Sequence, residues 1–297
     1  MQKIYYHGKE LYSPKLDLVF KALFGREDSK DILRSFLNSV LDLDIKSADD
    51  ITLTNTEMVP EIIDGKLSRL DVCAKVRNAT EHDDFIDVEI QLCNEGNIIN
   101  RSVYYVSRLF TSQLSEGDSY NRLGKAIGLS ILDFSIFEDS KWSHRGRLKD
   151  VENNQEFTDC FELNFVEIPK LPKSATDTKE LWLHFLNATT EKEMDMLVNQ
   201  NAEIAHAIGK LERISNDSSF QHQLMVREKT DRDYINAMET AKERGILRGR
   251  EEGMQQGMQQ GVYQTTLKVA RGMLERGIDI ATIMQVTGLT ESEIEKL

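Results

Sequence analysis

The sequence predicts an α/β sheet domain followed by a mostly helical C-terminal region, and three observations carry this fold class. Residues 68–76 (SRLDVCAKV) and 85–93 (FIDVEIQLC) alternate apolar and polar, the pattern of strands with one buried face. Amphipathic helices precede these strands and another follows them before further apolar strand runs, an order expected of an α/β or α+β sheet domain ending near residue 170. From about Asp177 onward the apolar spacing is helical.

The first helix is expected after Ser13-Pro14, an N-cap and N1 pair, and is expected to stop near Gly25. Leu16, Phe20, Leu23 and Phe24 form its apolar stripe, and Asp17 and Lys21 sit four apart on the opposite side. A second helix is predicted over about 29–41, with Ile32, Leu33, Phe36, Leu37 and Val40 inward. A strand at about 51–58 precedes the two alternating runs. In those runs Leu70, Val72, Ala74 and Val76 share one face, as do Ile86, Val88, Ile90 and Leu92. Asp71, Asp87, Glu89 and Gln91 fall on the opposite faces. The polar loop 94–97 leads to a helix over about 98–114. Ile99, Val103, Val106, Phe110 and Leu114 are its expected buried face, with Arg101, Tyr105, Arg108 and Ser112 on another. Residues 126–134 and 156–168 read as further strands.

Four helices are predicted in the C-terminal half: 178–187, 190–198, 201–215 and a long one beginning near 220. The long one carries glycine at every fourth position, Gly245, Gly249, Gly253, Gly257 and Gly261. Each interior glycine costs a helix about 1 kcal/mol relative to alanine. Either a close helix partner or a semi-flexible charged linker accounts for them. The intervening Arg, Glu and Gln exclude a membrane-type GxxxG pairing. The last segment reads as helix, turn at Gly277, helix, turn at Gly288, and a short helix opened by a Thr290/Glu293 capping box. That spacing suits a helix-turn-helix, although few basic residues lie on its reading helix, and such units also serve as interaction caps. The expected organisation is a core over 1–175, a helical region over 176–240, the glycine-tetrad helix or linker over 241–264, and a small helical unit over 265–297.

The 297 residues carry a net charge of −13, which argues against broad, non-specific affinity for nucleic acid. Residues 226–276 hold ten Lys/Arg against eight Asp/Glu, a balance of +2, which leaves −15 for the remainder. A DNA-binding face must therefore be a local basic patch. Apolar stretches fall short of a membrane span, no signal-peptide-like run is visible, and three widely spaced cysteines make neither a disulfide framework nor a zinc ribbon. A cytoplasmic protein with no membrane partner is expected. No P-loop, GxGxxG, HExxH or Ser/His/Asp order is present. The six histidines do not cluster, and His82 falls in the turn between the two strands.

If the two alternating runs pair as a hairpin, Asp71, Glu89 and Gln91 converge on one polar patch. A carboxylate on one strand and Glu-x-Gln on the next can hold Mg²⁺ beside a phosphodiester. Solvated strand carboxylates are the plainer reading. Asp87, on the Glu89 face, is expected to meet water. Asp17 and Lys21 are either an exposed ion pair or a site acid and its phosphate contact. Arg101 and Tyr105, one helical turn apart, are either a helix surface or phosphate contacts.

The chain resembles the Rpn family of recombination-promoting nucleases, transposase-like members of the PD-(D/E)XK superfamily. The resemblance rests on DLVFKALFG (17–25), FLNSVL (36–41), LDVCAKV (70–76), VEIQ (88–91), NRSVYYVSRLFTSQLSEGDSY (100–120), the strand after it, and the glycine-tetrad tail with its terminal unit. It implies a restriction-endonuclease-like mixed sheet flanked by helices, with DNA cleavage dependent on Mg²⁺ or on Mn²⁺ or Ca²⁺. It also implies 5′-phosphate products and a role in recombination or mobile elements. By position, Asp71 and Glu89 are the implied catalytic carboxylates and metal ligands, with the Ile90 backbone carbonyl as third ligand. Gln91 stands where the archetype has Lys, and Asp17 where related folds place an extra acid. Lys21, Arg101 and Tyr105 are the implied phosphate contacts. Double-stranded DNA is the expected partner, with a homodimer through the C-terminal helix. A catalytically weak regulator that binds DNA or protein with the same fold is the alternative.

Overall fold

The computed structural model describes residues 3–54, 62–63, 66–67, 71–77 and 82–297. The chain divides into two compact units, Met1–Leu224 and Met225–Leu297.

The first unit opens with a hairpin that the sequence reading missed, β1 (Lys3–Tyr6) and β2 (Lys9–Tyr12), turning at His7-Gly8, where both residues have positive φ. Helix α1 (Asp17–Phe24) begins three residues later than its Pro14 signal suggested. The reason is local. The Leu16 N–H donates to the Ser13 carbonyl, so Pro14 sits in a turn. Lys15 is pulled inward by Asp133 (2.8 Å) and Asn187 (3.1 Å). Helix α2 (Lys30–Leu41) follows as expected, then β3 (Ile51–Leu53), the short pair β4 (Ile62–Ile63) and β5 (Lys66–Leu67), and the two strands of the alternating runs, β6 (Val72–Arg77) and β7 (Asp83–Gln91). The predicted extension of β3 to Met58, and Leu70 at the head of β6, lie outside the described residues. After β7 come α3 (Ile98–Thr111), β8 (Ala126–Leu132), β9 (Ser143–Lys149) and β10 (Glu156–Glu167). The sequence SHRGRLK of β9 has almost no apolar alternation, which is why it escaped detection: it is an edge strand, half-exposed along its length.

The six strands order β3-β6-β7-β8-β10-β9. The pairs β7–β8 and β8–β10 are parallel and the others antiparallel. This is a restriction-endonuclease-like mixed sheet. A parallel neighbour to β7 requires a crossover, and α3 provides it.

The alternation in β6 and β7 decides the layers. Val72, Ala74, Val76, Ile86, Val88 and Ile90 face the main core. That core is completed by α1, α2 and three further helices, α4 (Thr178–Asn187), α5 (Glu191–Gln200) and α6 (Ala202–Asn216). Phe24, Phe36 and Trp182 lock these helices together, with ring centroids 4.8 Å apart for Phe24–Phe36 and 5.7 Å for Phe36–Trp182. The opposite sheet face carries Cys73, Phe85, Asp87 and Glu89 and is covered by α3 through Tyr105, Val106 and Leu109. Gly128 on β8 lets α3 come close, because a Cβ there would fall 2.5 Å from Val106 Cγ2.

In the second unit, α7 (Ser218–Leu274, beginning in the first) ends against α8 (Ile280–Thr287) and α9 (Glu291–Ile294). Ala270, Ile283, Leu289 and Ile294 form its small core. The turns fall at Gly277 and Gly288, both at positive φ, and Thr290 and Glu293 make the expected capping box. The five tetrad glycines lie within α7, and a Cβ at any of them would meet nothing within 4 Å among the described residues. Among the described residues no helix is long and apolar enough to cross a membrane.

Candidate active site

The pairing Val72↔Val88 sets Asp71, the residue before β6, across from Glu89. The Ile90 N–H donates to Asp71 Oδ2 at 2.8 Å. In an antiparallel pair a residue's N–H and C=O point to the same neighbour, so the Ile90 carbonyl faces the Asp71 side as well. Helix α1 brings Lys21, whose Nζ lies 3.3 Å from Asp71 Oδ1 and 2.8 Å from Asp17 Oδ1. Helix α3 brings Arg101 from the other face of the sheet, 3.5 Å from Glu89 and 3.4 Å from Glu95. Tyr105, one turn further along α3, is buried.

These carboxylates are short of solvent. Burial, then Asp17, raises the Asp71 carboxyl well above the usual range against the pull of Lys21, and Glu89 adds to the rise. Glu89 is raised by burial, with Arg101 opposing. Burial works against the charge of Lys21, but Asp71 and Asp17 outweigh it and hold the ammonium protonated. Burial and the negative field of Glu89 push the Tyr105 phenol up to about 12. Carboxylate oxygens are the donors that a hard divalent cation takes.

The terminal unit carries a contrast in charge. Helix α8 has no Lys or Arg, and α9 begins with Glu291 and Glu293.

Residues 14–241 match the model of the PD-(D/E)XK nuclease family transposases. The chain belongs to this family. Residues 264–297 match a second model, the C-terminal HTH domain of the Rpn/YhgA-like nuclease family. Neither the search of curated proteins nor that of solved structures gives a match.

For this PD-(D/E)XK family chain, Asp17, Lys21, Asp71, Glu89, Arg101 and Tyr105 gather around the ends of β6 and β7. Gln91 ends β7 half-buried on the Glu89 face, and its carbonyl accepts from the Asp133 N–H. Two expectations are corrected. Asp87 does not meet water. It is buried beneath α3 opposite Cys73, its Oδ1 finds no donor among the described residues, and burial followed by Glu89 and Asp71 raises its pKa strongly. The face of α3 is also rotated: Ile99 and Val103 are exposed, while Ile98, Ser102, Tyr105, Val106 and Leu109 are buried. The sheet beneath the start of α3 is polar, so Ser102 and Tyr105 turn inward, while Arg108 and Ser112 of the expected polar face stay exposed. The Ser102 and Ser130 hydroxyls meet there at 2.9 Å. His82 precedes the far end of β7, seven residues and roughly 23 Å of strand from Glu89. Cys73 is a buried filler whose thiol is pushed up to about 12 by burial and Asp87.

One cluster had no sequence signal because its members are far apart in the chain. His7 from the hairpin turn and Glu191 and Asp195 from α5 bring their ligand atoms within 4.8 Å of one another at the surface. His7 Nε2 and Asp195 Oδ1 are 2.9 Å apart.

Proposed function

We propose that this chain is a metal-dependent DNA endonuclease that hydrolyses phosphodiester bonds, acting in recombination or on mobile elements in the cytoplasm. The observation that carries the reading is the buried cross-strand pair Asp71 and Glu89, flanked by cations from α1 and α3. Asp71, Glu89 and the Ile90 carbonyl would hold the cation, Mg²⁺ or its near equivalents Mn²⁺ or Ca²⁺. When bound, that ion acidifies water and neutralises charge on the non-bridging phosphate oxygens. Asp17 hydrogen-bonds a water at this centre, and Gln91 orients the attacking water by its amide. Lys21 and Arg101 contact phosphates and fix the strand without reading its sequence; Tyr105, a phosphate contact by sequence position, is buried between α3 and the sheet and does not serve as one. The water oxygen forms the new bond to phosphorus, the P–O3′ bond breaks, and the product keeps a 5′-phosphate.

A homodimer through the C-terminal helix accompanies this reading. The tetrad glycines would admit a partner helix, since a Cβ at each would meet nothing within 4 Å among the described residues. The terminal helix-turn-helix places no basic side chain on α8, which favours a protein contact over DNA reading by that helix. A catalytically weak regulator that binds DNA or protein is the second reading, favoured by Gln91 at the position of the motif's Lys.

Supercoiled-plasmid cleavage with Mg²⁺, Mn²⁺ or EDTA tests the first reading on the wild type, Asp71→Ala and Glu89→Ala. Cleavage that requires metal and disappears in both variants supports it. No cleavage, or cleavage unchanged in the variants, rejects the nuclease in favour of the regulator.

A further inference from the structure

The name of the motif ends in Lys, and this chain has Gln91 there. An amide can orient a water but carries no charge. Phosphodiester hydrolysis builds negative charge around phosphorus, and preorganised cations there are among the largest catalytic contributions. The chain is therefore short of one positive group at the end of β7.

We propose that Lys21, delivered by α1 from outside the strand motif, supplies to the scissile phosphate the positive charge absent at position 91. This rests on the nuclease reading above and divides the role of the missing lysine between two residues: Gln91 orients the water and Lys21 provides the charge.

The geometry selects Lys21 among the neighbouring cations. Its Nζ touches Asp71 itself, at 3.3 Å, and its side chain stays about a quarter exposed, open to a ligand. Asp17, one turn back on the same helix, grips the ammonium at 2.8 Å and aims it. Two of the alternatives are committed elsewhere. Lys15 is buried between Asp133 and Asn187. Lys75 pairs with Asp83 at the opposite end of β7 from Gln91, at 2.7 Å. Arg101 approaches from the α3 side and spans Glu89 and Glu95. Lys21 keeps its protons throughout. It donates hydrogen bonds to a non-bridging oxygen as water attacks phosphorus and gives up a proton to solvent, and the departing 3′-oxygen takes its proton from solvent.

The test compares plasmid cleavage in Mn²⁺ by the wild type, Lys21→Gln, Lys21→Arg and the double variant Lys21→Gln/Gln91→Lys. Mn²⁺ binding is measured on the same proteins by electron paramagnetic resonance. Lys21→Gln is expected to lose about 100-fold or more in cleavage rate, while binding Mn²⁺ at least as tightly as the wild type, because a competing cation has left Asp71. Lys21→Arg should retain part of the rate, and Gln91→Lys should restore most of what Lys21→Gln lost. Wild-type cleavage by Lys21→Gln, or loss of Mn²⁺ binding together with cleavage, overturns the proposal; so does a double variant no faster than Lys21→Gln. An inactive wild type overturns the nuclease reading and this proposal with it. An active wild type with an equally active Lys21→Gln overturns this proposal alone.

Discussion

Replacing Asp71 by Asn should remove a metal-linked gain in stability and stabilise the metal-free protein. Asp71 and Glu89 are buried with raised carboxyl pKa values, so negative charge on them is poorly solvated. A cation that binds only the folded chain stabilises it by about 2.7 kcal/mol at one hundred times its Kd. The first unit spans Met1–Leu224. For a unit of that size each kcal/mol moves Tm by about 2–4 °C, so saturating Mg²⁺ or Mn²⁺ should raise Tm by roughly 5–10 °C. The chain has two tryptophans, Trp142 and Trp182, both in this unit, so a fluorescence melt reads it directly. The pH dependence has a definite sign. A carboxyl raised in the folded state contributes stability that is complete below its unfolded pKa and lost as pH rises through its folded pKa. The metal-free protein should therefore gain stability from these groups on acidification. The metal-induced shift should shrink over the same range, because protons and the cation compete for the same oxygens. In Asp71→Asn the metal-free Tm should rise, with most of the metal shift gone. A wild-type shift that survives Asp71→Asn refutes the reasoning. If it survives there but disappears in His7→Ala, the ion binds at His7, Glu191 and Asp195 instead.

Two further outcomes follow from the packing. At Gly124 a Cβ would lie 1.9 Å from the Asp83 carbonyl oxygen, so Gly124→Ala should destabilise the first unit by about 3 kcal/mol in urea unfolding; unchanged stability would mean that the backbone there yields. On α7, Gly253→Ala with Gly257→Ala should raise helicity by circular dichroism, at about 1 kcal/mol per site. The same pair should lower the mass seen by light scattering if the glycines admit a second copy, and an unchanged dimer mass would remove them from the interface.

The carboxylate pair was legible because β-strand alternation is local. Asp71 and Glu89 fall opposite the apolar positions of their own strands, and a hairpin register brings them together. The helices over 178–216 were legible for the same reason, each with its own cap and apolar stripe. The hairpin at 3–12 and β9 were not. The former is too short to show a period, and the latter is an edge strand whose charged side chains hide its alternation.

What the sequence determined by itself is the set of periodic elements and the chemistry they carry: an acid before one strand, Glu-x-Gln in the next, and a helix with a polar stripe after them. Three matters were left to the tertiary structure. It turned Ser102 and Tyr105 of α3 inward, because the sheet beneath is polar and only packing could reveal that. It buried Asp87, which by strand position alone should have met water. It also brought Lys21 to Asp71 across fifty residues of chain, a contact that depends on where α1 lies against the end of β6 and has no local signature.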